Sequence, residues 1–211
     1  MTDTPVTSQL TAADSGAEDA RLKPIAAGPQ FAARVDTPLG DMLLAASGAA
    51  LTGAWFVDQD DVPSTLLTQD DAADPETAAV LARATEQLIA WFAGQRRDFD
   101  LPLAASGTPF QHAVWRGLLD LPFGQTCSYG DLAHRIGRPR AVRAVAQAVG
   151  RNPISIVIPC HRIVGHDTSL TGFGGGLIRK RSLLAHEGHI YAGPSARAKV
   201  RASGQLSLDW V

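Results

Sequence analysis

Cysteine is nearly absent from this chain: Cys127 and Cys160 are the only 2 among 211 residues. That scarcity excludes a disulfide framework, and the lack of any CxxC pair excludes a thiolate-rich zinc site. Long apolar runs are missing as well. No stretch reaches the roughly 18 apolar residues that read as a membrane span, and no basic-flanked apolar segment stands near residue 1, so neither membrane insertion nor secretion is expected. A cytoplasmic location is the default expectation, with no metal and no cofactor.

Positive charge is scarce in one half only. Residues 1–100 hold 6 Lys+Arg against 16 Asp+Glu, and residues 101–211 hold 13 against 5, so the net charge of −2 is the sum of −10 and +8. A basic half in a mildly acidic chain points to a polyanionic partner on one face, or else to a solvated helix surface.

Residues 1–28 are small, polar and aperiodic and read as a disordered arm. From Phe31, the runs FAARV, TPLGDMLLAAS and LTGAWFV alternate with turn residues and predict strands joined by hairpins. DVPSTLLTQDDAADPE reads as a loop, and ETAAVLARATEQLIAWFAG as a helix ending at glycine. A second domain begins near residue 105. There Thr108 is placed to cap a helix, Pro109 suits its first position, and Gln111 completes a capping box. YGDLAHRIG and RPRAVRAVAQAVG predict two short helices around a Gly- and Pro-containing turn, a helix-turn-helix pattern. ISIVIPC reads as a β-branched strand stopped by proline, a glycine-rich loop then leads into a last helix, and residues 191–211 form a tail.

Cys160 and His161 are adjacent in IPCHRIVG. A thiolate nucleophile needs a proton acceptor, and the acceptor needs a third group to orient it, for which Glu187 is the candidate. Taken singly, the Cys-His step reads either as that pair or as coincidence. If the strand runs straight, His161 points away from Cys160, so the pair requires a bend at Pro159 or a bridging water. The glycines Gly172, Gly174, Gly175 and Gly176 read either as a flexible turn or as a place where a flat ring approaches the backbone. The helix bearing Arg140, Arg143 and Ala144 reads equally as a plain core helix or as one lying against a nucleic-acid groove.

In combination, GTPFQHAVW, SYGDLAHRIGRP, AVRAV, GRNP, IPCHRIVG, TGFGGG and KRSLLAHEG, in this order, resemble the O6-alkylguanine-DNA alkyltransferase family, or methylated-DNA-protein-cysteine methyltransferases. The strict likeness covers residues 107–188 and weaker elements carry it back to about residue 31. The resemblance implies an α+β fold: a ribonuclease-H-like α/β domain over residues 29–104, then a mainly helical domain over 105–190 with a helix-turn-helix. It implies a monomer that binds double-stranded DNA from the minor groove, with cooperativity along DNA left open. The target base is O6-alkylguanine, with O4-alkylthymine as a second candidate. The base is flipped out because its O6 atom lies inside the duplex. Its alkyl group passes irreversibly to Cys160, once per molecule.

Carried over residue by residue, His161 takes the thiol proton through a water, Glu187 holds the imidazole, and Asn152 braces the turn before the active-site strand. Tyr129 helps rotate the nucleotide and donates toward the departing base, and Arg143 fills the vacated stack. Arg140 and Ala144 face the DNA, while Lys180 and the backbone around Ile163 and Gly174 line the base pocket. Two positions depart from the family pattern. Phe173 stands where many relatives have tyrosine, and Ser155 where human-type proteins have a proline that packs on bulky substituents. Reaction with O6-benzylguanine is therefore expected to be weaker than with O6-methylguanine. The human-type zinc cysteines are also missing. A base-flipping sensor without a nucleophile is opposed by Cys160, a transcription regulator by the lack of an added metal-binding domain, and a cysteine hydrolase by the DNA-facing arginines.

Overall fold

The computed structural model describes residues 21–25, 28–67, 72–191 and, by backbone alone, 199–200. The first element, β1 (Leu22–Pro24), corrects the expected arm: these residues form the outer strand of a five-stranded sheet, and Leu22 is fully buried. The rest of the arm lies outside the described residues apart from residues 21, 25 and 28. A three-residue strand has no periodicity to detect. It exists because β5, about 80 residues later, offers a parallel partner at Leu22↔Leu103 through Pro24↔Ala105.

The expected hairpins form β2 (Phe31–Val35), β3 (Met42–Ser47) and β4 (Ala50–Phe56), which pair antiparallel in that order. The segment expected to be a loop contains α1 (Ser64–Leu67), a single turn anchored by the buried Leu66. α2 (Pro75–Phe92) is capped by Asp74, whose side chain accepts from the backbone of Glu76 and Thr77, a contribution of about 1 kcal/mol. Its buried stripe of Val80, Leu81, Ala84, Leu88 and Trp91 recurs at helical spacing and packs on the sheet. β5 (Leu103–Ala105) completes the sheet in the order β1-β5-β4-β3-β2.

The second half is mainly helical. α3 (Pro109–Leu119) has Thr108 as N-cap, proline in the first turn and the reciprocal Thr108–Gln111 capping box. β6 (Cys127–Ser128) leads into α4 (Tyr129–Arg135), and α5 (Val142–Gly150) follows after the Gly137–Pro139 turn. β7 (Ile163–Val164) pairs parallel with β6, which places Cys127 opposite Ile163, and α6 (Leu177–His186) closes the core. β8 (His189–Ile190) pairs with β9 (Lys199–Val200), so the stretch expected to be a tail from residue 191 returns to the fold at its described part. One buried cluster joins both halves, running from Leu22 through Trp91 and Trp115 to Leu183.

The seam between the halves is made of backbone hydrogen bonds. Ala54 N–H donates to Pro153 O and Ser155 N–H donates to Ala54 O, each at 2.9 Å, beside the Leu51↔Leu103 pairing of β4 with β5. The segment before Cys160 is thereby hung on the sheet.

Candidate active site

ISIVIPC is not a strand. Ile156 has φ 71°, a left-handed value that a β-branched residue adopts only under constraint, and Val157 N–H donates to Ser155 O at 2.9 Å around it. A second tight turn follows at Pro159, whose φ −81° and ψ 63° bring Cys160 N–H to 2.8 Å from Ile158 O. Cys160–Arg162 then form one turn of 3-10 helix, so the bend expected at Pro159 is present.

Asn152 explains the shape of this segment. Its Nδ2 donates to Ile158 O at 2.8 Å and to Cys160 Sγ at 3.0 Å, and its Oδ1 accepts from Ile154 N–H at 3.1 Å. The side chain is buried, supplies the Ile154 N–H with its acceptor and bridges Ile158 O to the sulfur, so it closes the loop and holds Sγ.

Glu187 lies at the end of α6 and accepts from three residues. His161 Nε2 is 2.9 Å from Oε1, Arg162 grips both oxygens at 2.8 to 3.0 Å, and Gly124 N–H donates to Oε2 at 3.0 Å. Burial opposes its charge, but the His161 and Arg162 partners outweigh that and hold the carboxyl down at about 2. Burial lowers the His161 pKa, against the pull of Glu187, so the imidazole is the neutral member. An ionised carboxylate only accepts, which puts the imidazole proton on Nε2 and leaves Nδ1 as a basic lone pair. Among the described residues Nδ1 has no hydrogen-bond partner.

Burial pushes the Cys160 thiol up, while the Asn152 amide and the Lys180 charge pull the other way. Lys180 is itself fully buried and lowered to about 8 by that burial, with Cys160 acting against the shift. Its ammonium donates to Ile163 O, to Thr171 O at 2.5 Å and to Gly172 O at 3.2 Å. Lys180 therefore ties the glycine loop to β7 from behind. Ile163 is likewise fully buried in the core.

A cavity of about 270 Å³ opens at Cys160, with Tyr129, Asn152, Ser155, Phe173 and Gly174 in its wall. The structure brings these sequence-predicted residues together, and it leaves Ile163 and Lys180 outside the lining. Thr171 Oγ1 donates to the Tyr129 hydroxyl at 3.4 Å, just before the glycine loop. Arg140, Arg143 and Ala144 are exposed at and before the first turn of α5, and that helix also supplies Ala146, Val149 and Gly150 to the cavity.

Gln59 and Asp61 were not legible as site residues. They sit about 100 residues upstream, just after β4, and line the same cavity. Arg162 was missed as well, although it belongs to the CHR step. The glycines also have a local cause: a Cβ on Gly174 would come 2.7 Å from Gln59 Nε2, and one on Gly175 would come 2.8 Å from the Phe56 ring. The loop needs those two glycines to lie against the sheet domain. Among the described residues, no cluster of three or more His, Cys, Asp or Glu is arranged to hold a metal ion, and no helix is long and apolar enough to cross a membrane.

Residues 32–105 match the model of the 6-O-methylguanine DNA methyltransferase ribonuclease-like domain, and residues 109–189 match that of the DNA binding domain. The methylated-DNA–protein-cysteine methyltransferase of Mycobacterium tuberculosis H37Rv is 46% identical over 154 residues, covering 72% of this chain and 89% of that one. The constitutive methylated-DNA–protein-cysteine methyltransferase of Bacillus subtilis is 41% identical over 149 residues, covering 71% and 89%. The crystal structure of Mycobacterium tuberculosis OGT in complex with DNA is similar with a TM-score of 0.67 at 43% identity, covering 74% of this chain and 92% of that one. On these matches, which agree with the α+β architecture of a sheet domain followed by a helical one, the chain belongs to the 6-O-methylguanine DNA methyltransferase family.

Proposed function

We propose that this protein repairs DNA by taking the alkyl group of O6-alkylguanine onto Cys160. The observation that carries this reading is a buried cysteine at a base-sized cavity, held by Asn152 and adjacent to a neutral His161 whose free Nδ1 is made basic by Glu187. Double-stranded DNA is approached from the minor groove by α5, and Arg143 enters the stack as the damaged nucleotide turns out past Tyr129. Extrusion is required because O6 is otherwise inside the duplex.

The thiol proton leaves through a water to His161 Nδ1. Sγ then bonds to the alkyl carbon as the carbon–O6 bond breaks, and the electron pair of that bond passes to O6 and the ring. The purine takes its proton from the Tyr129 hydroxyl, which neutralises the leaving group as the charge develops, and the proton held on His161 is then released through water to restore the tyrosine. The imidazolium is stabilised by Glu187 until that release, and the restored guanine returns to the duplex. The thioether on Cys160 has no facile route back to a thiol, so each molecule reacts once. The protein acts as a monomer and needs no metal or cofactor for this step.

Intact-protein mass after incubation with a duplex carrying one O6-methylguanine tests the reading. A gain of one methyl group, about 14 Da, on the peptide containing Cys160 and at one-to-one stoichiometry is the expected result of thiolate attack. Tight lesion binding without an adduct would instead identify a base-flipping sensor.

A further inference from the structure

Resting on the alkyl-transfer reading above, we infer that Gln59, a residue of the sheet domain, is a specificity-determining residue that limits the size of the O6 substituent. Its side chain is nearly buried and is pinned at both ends. Phe56 N–H donates to Oε1 at 2.8 Å, and Nε2 donates to Asp61 Oδ1 at 3.2 Å. A side chain so held forms a fixed wall.

That wall belongs to the cavity at which the reacting sulfur lies. Gln59 lines the same cavity as Cys160, Ser155 and Phe173, and it meets the loop opposite at Gly174, where even one added carbon would fall 2.7 Å from Nε2. The loop has no room to retreat, because Gly175 is seated on the Phe56 ring. Arg179 closes the contact from outside: its guanidinium stacks 4.3 Å over Phe56, pairs with Asp58 at 2.8 and 3.0 Å, and donates to Gly175 O at 3.2 Å. Wall and loop are thus locked together across the domain seam.

Size does the rest. At about 270 Å³ the cavity falls just below the roughly 300–1,000 Å³ of ordinary ligand pockets. Part of that volume is taken by the flipped purine itself. The room left for the alkyl group is then set by the side chains that share the cavity with Cys160, and the sheet domain contributes Gln59 with its partner Asp61.

The test is single-turnover transfer from duplexes carrying O6-methylguanine or O6-benzylguanine, measured in wild type, Gln59→Ala and Gln59→Leu. The benzyl-to-methyl ratio of rate constants is taken within one preparation, so that loss of folded protein cancels. Truncation to alanine is expected to raise the ratio on the order of tenfold, whereas leucine, which keeps the volume and loses both hydrogen bonds, is expected to stay within about twofold of wild type. An unchanged ratio in Gln59→Ala overturns the inference, as does an equal rise in Gln59→Leu, which would make loop loosening the cause. If the alanine variant does not fold, Gln59→Asn removes one methylene, and absence of a rise there is equally decisive. Wild-type protein that forms no methyl adduct rejects the alkyl-transfer reading itself. Methyl transfer with an unmoved ratio rejects only the role of Gln59.

Discussion

His161 Nε2 and Glu187 Oε1 lie 2.9 Å apart with both side chains fully out of solvent, and the Arg162 guanidinium binds both oxygens of the same carboxylate. This arrangement fixes the tautomer of the histidine. Against burial, His161 and Arg162 together hold the Glu187 carboxyl low, and with Nε2–H given to that carboxylate the imidazole is left to accept a proton at Nδ1.

Replacing Glu187 by Gln removes the charge and preserves the shape. Transfer is expected to slow on the order of 10²-fold, the lower end of what a positioned acid–base group supplies. Arg162 is left as a buried cation without its counter-ion, a loss of about 3–5 kcal/mol. The pH dependence separates this variant from a merely unstable one. A carboxyl held at about 2 when folded and near 4.5 when unfolded adds stability that is complete above 4.5 and is lost as pH falls toward 2. Thermal melts of wild type and Glu187→Gln should therefore converge across that window. A gap that stays constant would show that the charge is not the cause.

Asn152 can be tested by an isosteric change. Asn152→Asp keeps the oxygen that accepts from Ile154 N–H, but it replaces the amide 3.0 Å from Sγ with an acceptor that repels a thiolate. The variant is expected to transfer methyl on the order of 10²-fold more slowly, a loss of about 2.7 kcal/mol of transition-state stabilisation. Wild-type rates in Asn152→Asp, measured by quenched single-turnover reaction, would remove Asn152 from the activation of the thiol.

The parts of this protein that were legible in its sequence are those whose cause is local. The Thr108–Gln111 capping box lies within four residues, and the α2 stripe repeats at helical spacing, so both could be read before any fold was known. Cys160, His161 and Glu187 were legible together only because the surrounding blocks resemble a family, since nothing local links residue 161 to residue 187. ISIVIPC misled because β-branched residues favour strands. The turn at Ile156 is imposed from elsewhere, by the Asn152 side chain and by the hydrogen bonds to Ala54. Gln59 had no signal at all: it becomes a pocket residue when the seam brings β4 against the glycine loop.

The resting state of the nucleophile can be measured directly. Burial raises the Cys160 thiol above its ordinary 9.0, so the free protein should hold it protonated at neutral pH. In Cys127→Ser protein, which leaves Cys160 as the only thiol, the thiolate absorbance should appear only above pH 9. The stability from this group is complete below the unfolded value and falls as pH rises through the folded one, so the melting temperature should drop over the same range. A thiolate already present at pH 7 would mean that His161 has no proton to take.

Arg143 tests the DNA side without disturbing the site. Its side chain is exposed at the start of α5, and it is absent from the cavity lining, so Arg143→Ala should unfold within about 0.5 kcal/mol of wild type. Iodoacetamide should still label Cys160 at the wild-type rate. What should change is the duplex: a fluorescent base analogue paired at the target should report less extrusion, and methyl transfer should slow while the thiol stays intact. Two roles for the arginine then part company. If it contacts a phosphate, the dependence of affinity on salt should lose about one unit of slope, because one fewer counterion is released. If it fills the stack, extrusion falls and the slope holds. The intercalating role proposed here requires the second pattern, and a loss of slope with normal extrusion would assign Arg143 to the DNA backbone instead.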